Sequence, residues 1–422
     1  MQIKVGKACE IITPKLGGFF AGYDSKLPGD SVHDDLTVTA IALESGHTKA
    51  ILMSVAVCLI GNDLSDELRS RCGKAAGVPS ANVIISTVHT HSGPVTPGVG
   101  EDYCDNILIP KCVAAAEASV KDMKPVKMGI ATSKSLVGIN RRQLLADDRV
   151  ILGQNPWGAY DPEMTVISFR DESGKPVANI IHCAAHNTAA GIVTEVSRDW
   201  CGVMIDRLEA ESGATTAFFN GCAGDVAPRM ANGGSTGNMQ HMREIGAVAG
   251  IDAVRTYKDI REYRDVDMAV VTDEIRIPFE PIKPLELAKQ QYAAIENSTA
   301  RFDGGARRLL KQVIEMYEKG ENGPADFVFE QTLVRIGPAV LVPIPFEPFS
   351  ELSMRLRTYS KFGYTLALGY TNGSNSYLPS QDQICRGGYE IERFHWAMPR
   401  QLPVDADTHL INANLKIMEK FL

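Results

Sequence analysis

Short β-rich runs alternating with segments of helical spacing constrain this chain more than any other feature. Residues 36–43 (LTVTAIAL) and 50–57 (AILMSVAV) are two such runs. A segment of helical spacing with an Asp-Leu-Ser start follows from 62 to 76, and residues 81–88 (ANVIISTV) read as a buried strand. Residues 107–123 again space their apolar side chains as a helix does. Strand, helix, strand in this order specifies an α/β fold with helices packed on sheets.

The pattern recurs downstream. Residues 165–170 and 177–183 form a hairpin pair around Glu172-Ser173-Gly174-Lys175. A helix is expected over 200–210, a strand over 215–220, a helix rich in small residues over 241–257 and a strand over 270–277. Residues 284–319 read as helical and charged, with a break near Gly304-Gly305, and strands return at 325–336, 340–344 and 366–370. With no internal repeat, the expectation is one large domain over 1–422 carrying a helical insertion near 284–320.

Composition narrows the function classes. Lys plus Arg is 43 against 51 for Asp plus Glu, a net charge of −8, which excludes a general nucleic-acid binder. No polybasic run and no uninterrupted apolar stretch of about 18 residues occurs, so no stable membrane association is expected. The start, MQIKVGKACEI, shows no apolar core of a secretory signal. The nine cysteines are odd in number and form no CxxC pair, so they read as reduced thiols of a cytoplasmic protein.

Five segments carry potential chemistry. His89-Thr90-His91-Ser92-Gly93-Pro94 ends an apolar strand, and in extended chain His89 and His91 would face one side. The alternative is two surface histidines at a strand terminus. His182 and His186 close another apolar strand; His182 fits a hydrogen-bonded core histidine better than His186 does. Gly221-Cys222-Ala223-Gly224-Asp225-Val226-Ala227-Pro228 breaks a strand into a glycine loop, where a tight turn is the plainer reading and a Cys222 nucleophile lacks an adjacent histidine. Glu347, between prolines at the end of an apolar strand, is either a buried carboxylate in need of a partner or metal, or a helix N-terminal residue. Asn140-Arg141-Arg142 and the tail from Tyr377 to Tyr389-Glu390 read by themselves as packing or solvated residues.

Taken in order, HTHSGP, Asn140-Arg141, His186-Asn187-Thr188, Ser197-Arg198-Asp199, Gly224 to Pro228 and the paired tyrosines resemble the catalytic domain of the neutral/alkaline ceramidase family, from about residue 5 to about 400. The resemblance implies mixed β-sheets flanked by helices. It implies a zinc ion, Zn2+, held by His89, His186, Glu347 and Tyr377, with His91, Arg141 and Tyr389 acting on the substrate. Ala227 stands where the family has a serine, which excludes a seryl nucleophile there. The chain ends without the family's C-terminal immunoglobulin-like domain.

The expectation is therefore a zinc-dependent amidase that uses a metal-activated water on a small soluble substrate rather than ceramide. A zinc esterase, lactonase or carbohydrate deacetylase with the same ligands is the enzymatic alternative. A non-catalytic ligand-binding protein is the other.

Overall fold

The computed structural model describes residues 2–23, 27–299 and 303–422. Two sheets lie face to face between outer layers of helices. The larger is mixed and eight-stranded, in the order Thr215–Asn220, Pro176–Cys183, Glu163–Asp171, Lys124–Lys134, Lys4–Ile11, Thr37–Ser45, Thr48–Val55, Val83–Thr87. The smaller has four strands, in the order Met268–Pro278, Asp326–Ile336, Ala339–Pro343, Tyr364–Leu368.

Residue alternation explains the layering. In Thr37–Ser45, Ile41 and Leu43 face the second sheet, joining a core with Val334, Ile336, Leu341 and Leu368. Val38, Ala40 and Ala42 face the other way, onto helices. Burial on both faces is why these runs read as almost continuously apolar. The helix Asn62–Ala76 contributes Leu64, Leu68, Cys72 and Ala76 to that outer core, one side chain per turn, and Gly77 closes it in the left-handed conformation that glycine adopts without strain. On the far side of the smaller sheet, Leu352, Leu356, Leu410 and Ile411 from two helices cover Val340 and Val342.

The expected strands and helices are present, with ends shifted by a few residues. The stretch expected to be a broken helix is a hairpin of Leu285–Ile295 and Asp303–Glu318. Gly304 and Gly305 do not break it: they sit in the first turn of the second helix, where the leading N–H groups have no intrahelical partner in any case. Residues 300–302, within the expected insertion, lie outside the described residues. No described helix is long and apolar enough to cross a membrane.

Three parallel pairings position the site: Thr48–Val55 with Val83–Thr87, Pro176–Cys183 with Thr215–Asn220, and Ala339–Pro343 with Tyr364–Leu368. The loops leaving their C-terminal ends meet. Gly369 N–H donates to Asn220 O at 3.1 Å, Thr87 N–H to Tyr370 O at 3.1 Å and Asn372 N–H to Ile85 O at 2.8 Å. The carboxyl ends of strands from both sheets thus open onto one place, where ligand sites of α/β sheets form.

Candidate metal centre

His89 follows Val83–Thr87 and adopts φ 69°. The chain is not extended here as alternation predicts, yet His89 and His91 still converge, with their Nε2 atoms 3.2 Å apart. The left-handed kink, fixed by His89 N–H donating to Val57 O at 3.0 Å, aims the imidazole inward. Its Nδ1 donates to Cys58 O at 2.8 Å, which sets the tautomer and leaves a lone pair on Nε2.

His186 lies three residues beyond Pro176–Cys183. It and His182 do not share a face. His182 stays in the sandwich, with Nε2 2.9 Å from Ala367 O. His186 is buried, and its Nδ1 donates to Ala223 O at 2.6 Å, again leaving Nε2 as a lone pair. The glycine loop supplies that acceptor, so it is more than a tight turn. It also approaches the carboxylate segment closely: a Cβ on Gly224 would lie 2.5 Å from Glu347 O.

Glu347 is not in a helical turn. It sits in the short strand Glu347–Pro348, paired in parallel with Tyr377–Leu378, so Glu347 and Tyr377 are register partners. Its Oε2 is 3.5 Å from His89 Nε2 and 3.3 Å from His186 Nε2. Among the described residues, neither Glu347 Oε2 nor His186 Nε2 has a hydrogen-bond partner. One ligand atom from each of His89, His186 and Glu347 lies within 4.8 Å of the others. Burial holds both imidazoles below their ordinary range, His186 well below it, so both are neutral at neutral pH. Two neutral imidazoles and a carboxylate converging in a buried site are a donor set that zinc accepts, and a cation there would satisfy the acceptors left without a partner.

The remaining expected residues ring this cluster. His91 Nε2 lies 3.2 Å from His89 Nε2, and burial with His89 and His186 nearby keeps it well below the ordinary imidazole range. Arg141 Nη2 donates to the Tyr377 hydroxyl at 3.0 Å, and its Nε donates to Glu390 at 2.8 Å. Burial works against the Arg141 charge, but Tyr377 and Glu390 outweigh it. Burial, with Glu347 beside it, pushes the Tyr377 phenol well above its usual range, so ligation as phenolate requires a cation in addition to Arg141. Tyr389 packs edge-on against Tyr377, ring centroids 5.6 Å apart.

The arginine step and the glycine loop are brought together by an antiparallel pairing of Val226–Pro228 with Gly138–Asn140. Ala227 is buried within it. Cys222 faces the core beyond the smaller sheet, and burial raises its thiol well above the usual range, which removes the thiolate a nucleophile needs.

Two tyrosines here carry no signal in the sequence, and Glu390 reads there only as packing or solvated. Glu390 bridges Arg141 and Arg142, each at 2.8 Å. Tyr23 packs on His91 with ring centroids 4.7 Å apart. Tyr370 stacks on His89 at 4.1 Å and 23°. Adjacency to Tyr389 was a signal for Glu390; no local pattern marks either tyrosine.

No protein-family model matches the chain, and no curated protein matches its sequence significantly. Solved structures do match. A neutral ceramidase from Pseudomonas aeruginosa superimposes with a TM-score of 0.75 at 18% identity, over 99% of this chain and 75% of that one. A ceramidase complexed with C2 superimposes with a TM-score of 0.74 at 17% identity, over 99% and 76%. The chain has the neutral ceramidase-like fold along essentially its whole length.

Proposed function

We propose that this protein is a zinc-dependent hydrolase that cleaves the amide bond of a small N-acyl or cyclic amide compound. One observation carries the reading: His89 Nε2, His186 Nε2 and Glu347 Oε2 converge, buried, and the last two have no hydrogen-bond partner among the described residues. The fold shared with two ceramidases supports amide chemistry.

In this reading His89, His186 and Glu347 hold the metal, and Tyr377 completes the set with Arg141 offsetting the phenolate charge. Bound zinc supplies Lewis acidity, which polarises a carbonyl and makes water a nucleophile near neutral pH. His91, neutral and next to His89, is placed to pass a proton to the leaving nitrogen. Arg141 adds a fixed positive charge beside the carbonyl oxygen. Tyr389 forms the wall next to Tyr377. Ala227 and the buried Cys222 offer no nucleophile, which favours direct attack by water. All nine cysteines are unpaired, which supports a reducing, cytoplasmic setting.

The test is zinc analysis of the gently purified protein, followed by rates on matched N-acyl amides and esters before and after chelation. One equivalent of zinc and chelator-sensitive amide cleavage are expected. A metal-free protein in which added zinc binds nowhere near His186 would overturn the proposal.

A further inference from the structure

Tyr370, like Tyr23, lies at this centre without a role assigned to it. It leaves the strand Tyr364–Leu368 and turns at once into the left-handed region, φ 55°. For a bulky L-residue that conformation costs roughly 1–2 kcal/mol. The surroundings enforce it: Tyr370 N–H donates to Phe346 O at 2.9 Å, and its carbonyl accepts from Thr87 N–H at 3.1 Å. The ring is 2% exposed, stacks on His89 and meets His186 edge-on at 6.1 Å.

The strained backbone places a phenol against His89 and His186, and its hydroxyl is buried with no hydrogen-bond partner among the described residues. Leaving such a donor unmade costs about 1–3 kcal/mol, a cost that a purely packing side chain such as Phe would avoid. Glu347 and Arg141 are the charged groups that act on it most strongly. Arg141 spends Nε on Glu390 and Nη2 on Tyr377, so Tyr370 offers a neutral O–H that the protein itself does not consume.

We propose that Tyr370 is a further catalytic residue, donating its phenolic hydrogen bond to the acyl carbonyl oxygen of the substrate. This rests on the hydrolase reading. The carbonyl oxygen is where negative charge builds during acyl transfer, and a fixed donor aimed there stabilises the transition state more than the ground state. The left-handed backbone is the device that fixes it.

Acetohydroxamate, a small zinc chelator carrying a carbonyl oxygen, is the probe. Wild-type protein and Tyr370→Phe, which keeps the ring on His89, are loaded with zinc and titrated with it. The expected result is equal zinc content and 10- to 100-fold weaker hydroxamate binding in the variant, as about 1.5–3 kcal/mol for a hydrogen bond to a charged group implies. As a contact readout, 3-fluorotyrosine at position 370 should shift its fluorine resonance when hydroxamate is added. Equal affinities and an unmoved resonance would overturn the assignment and leave the zinc site standing, as would loss of zinc in Tyr370→Phe, which would make Tyr370 a support for His89. A wild-type protein that takes up no zinc would instead overturn the hydrolase reading, and the role of Tyr370 with it.

Discussion

His186 Nε2 lies 3.3 Å from Glu347 Oε2, and neither atom has a hydrogen-bond partner among the described residues. A cation between them would satisfy two buried acceptors at that separation. We therefore expect chelation to lower the melting temperature and zinc to restore it. At a hundredfold excess over Kd the restoration corresponds to about 2.7 kcal/mol. Glu347→Gln should abolish the zinc-dependent part. Calorimetry with and without zinc checks this; identical curves would sink the metal centre.

His89 and His91 should separate in their effects. His89→Ala removes a converging lone pair and should empty the site. His91→Ala should keep zinc and lose about 10²–10³ in turnover. Metal content and kcat of each variant decide the matter, and the reverse pattern would show that the two imidazoles have exchanged roles.

Glu390 holds Arg141 and Arg142 together, with both guanidinium groups and the carboxylate buried. Glu390→Ala leaves two buried cations short of a partner, and breaking such a pair costs about 3–5 kcal/mol. Denaturant unfolding should show a loss of that size. A variant as stable as the parent would mean that Arg141 is held by Tyr377 alone.

Asp225 governs a pH dependence of stability. Burial raises its carboxyl from 3.8 to about 7, although Ser350 N–H and O–H donate to it at 2.7 and 3.1 Å. The native state then binds a proton that the unfolded chain releases, so this contribution is greatest below pH 3.8, falls as pH rises and levels off above about 7. The span is at most on the order of 4 kcal/mol. Asp225→Asn should flatten that slope in unfolding curves taken between pH 5 and 8; an unchanged slope would assign the dependence elsewhere.

Cys222→Ser should keep most of the activity, and an alkylating reagent should leave the native enzyme active, because this thiol is buried and held protonated. A trapped acyl-cysteine would replace attack by water with covalent catalysis.

The sequence by itself determined the elements and the residue types of the centre. Apolar periodicity is local, so the helix Asn62–Ala76 and the strands around it are legible in their own residues. The His-Thr-His step and the proline-flanked Glu347 stand out for the same reason. What only the tertiary structure decided is convergence. His89 and Glu347 are far apart in the chain, and they meet because the two sheets stack with the carboxyl ends of their parallel strands in one place. The alternation rule grouped His89 with His91, and the two do meet, but through a left-handed residue whose φ is set by a hydrogen bond to Val57 rather than along an extended strand. Tyr370 stayed hidden, and Glu390 was legible only as the neighbour of Tyr389, because a stacked ring and a bridging carboxylate are defined by partners distant in sequence.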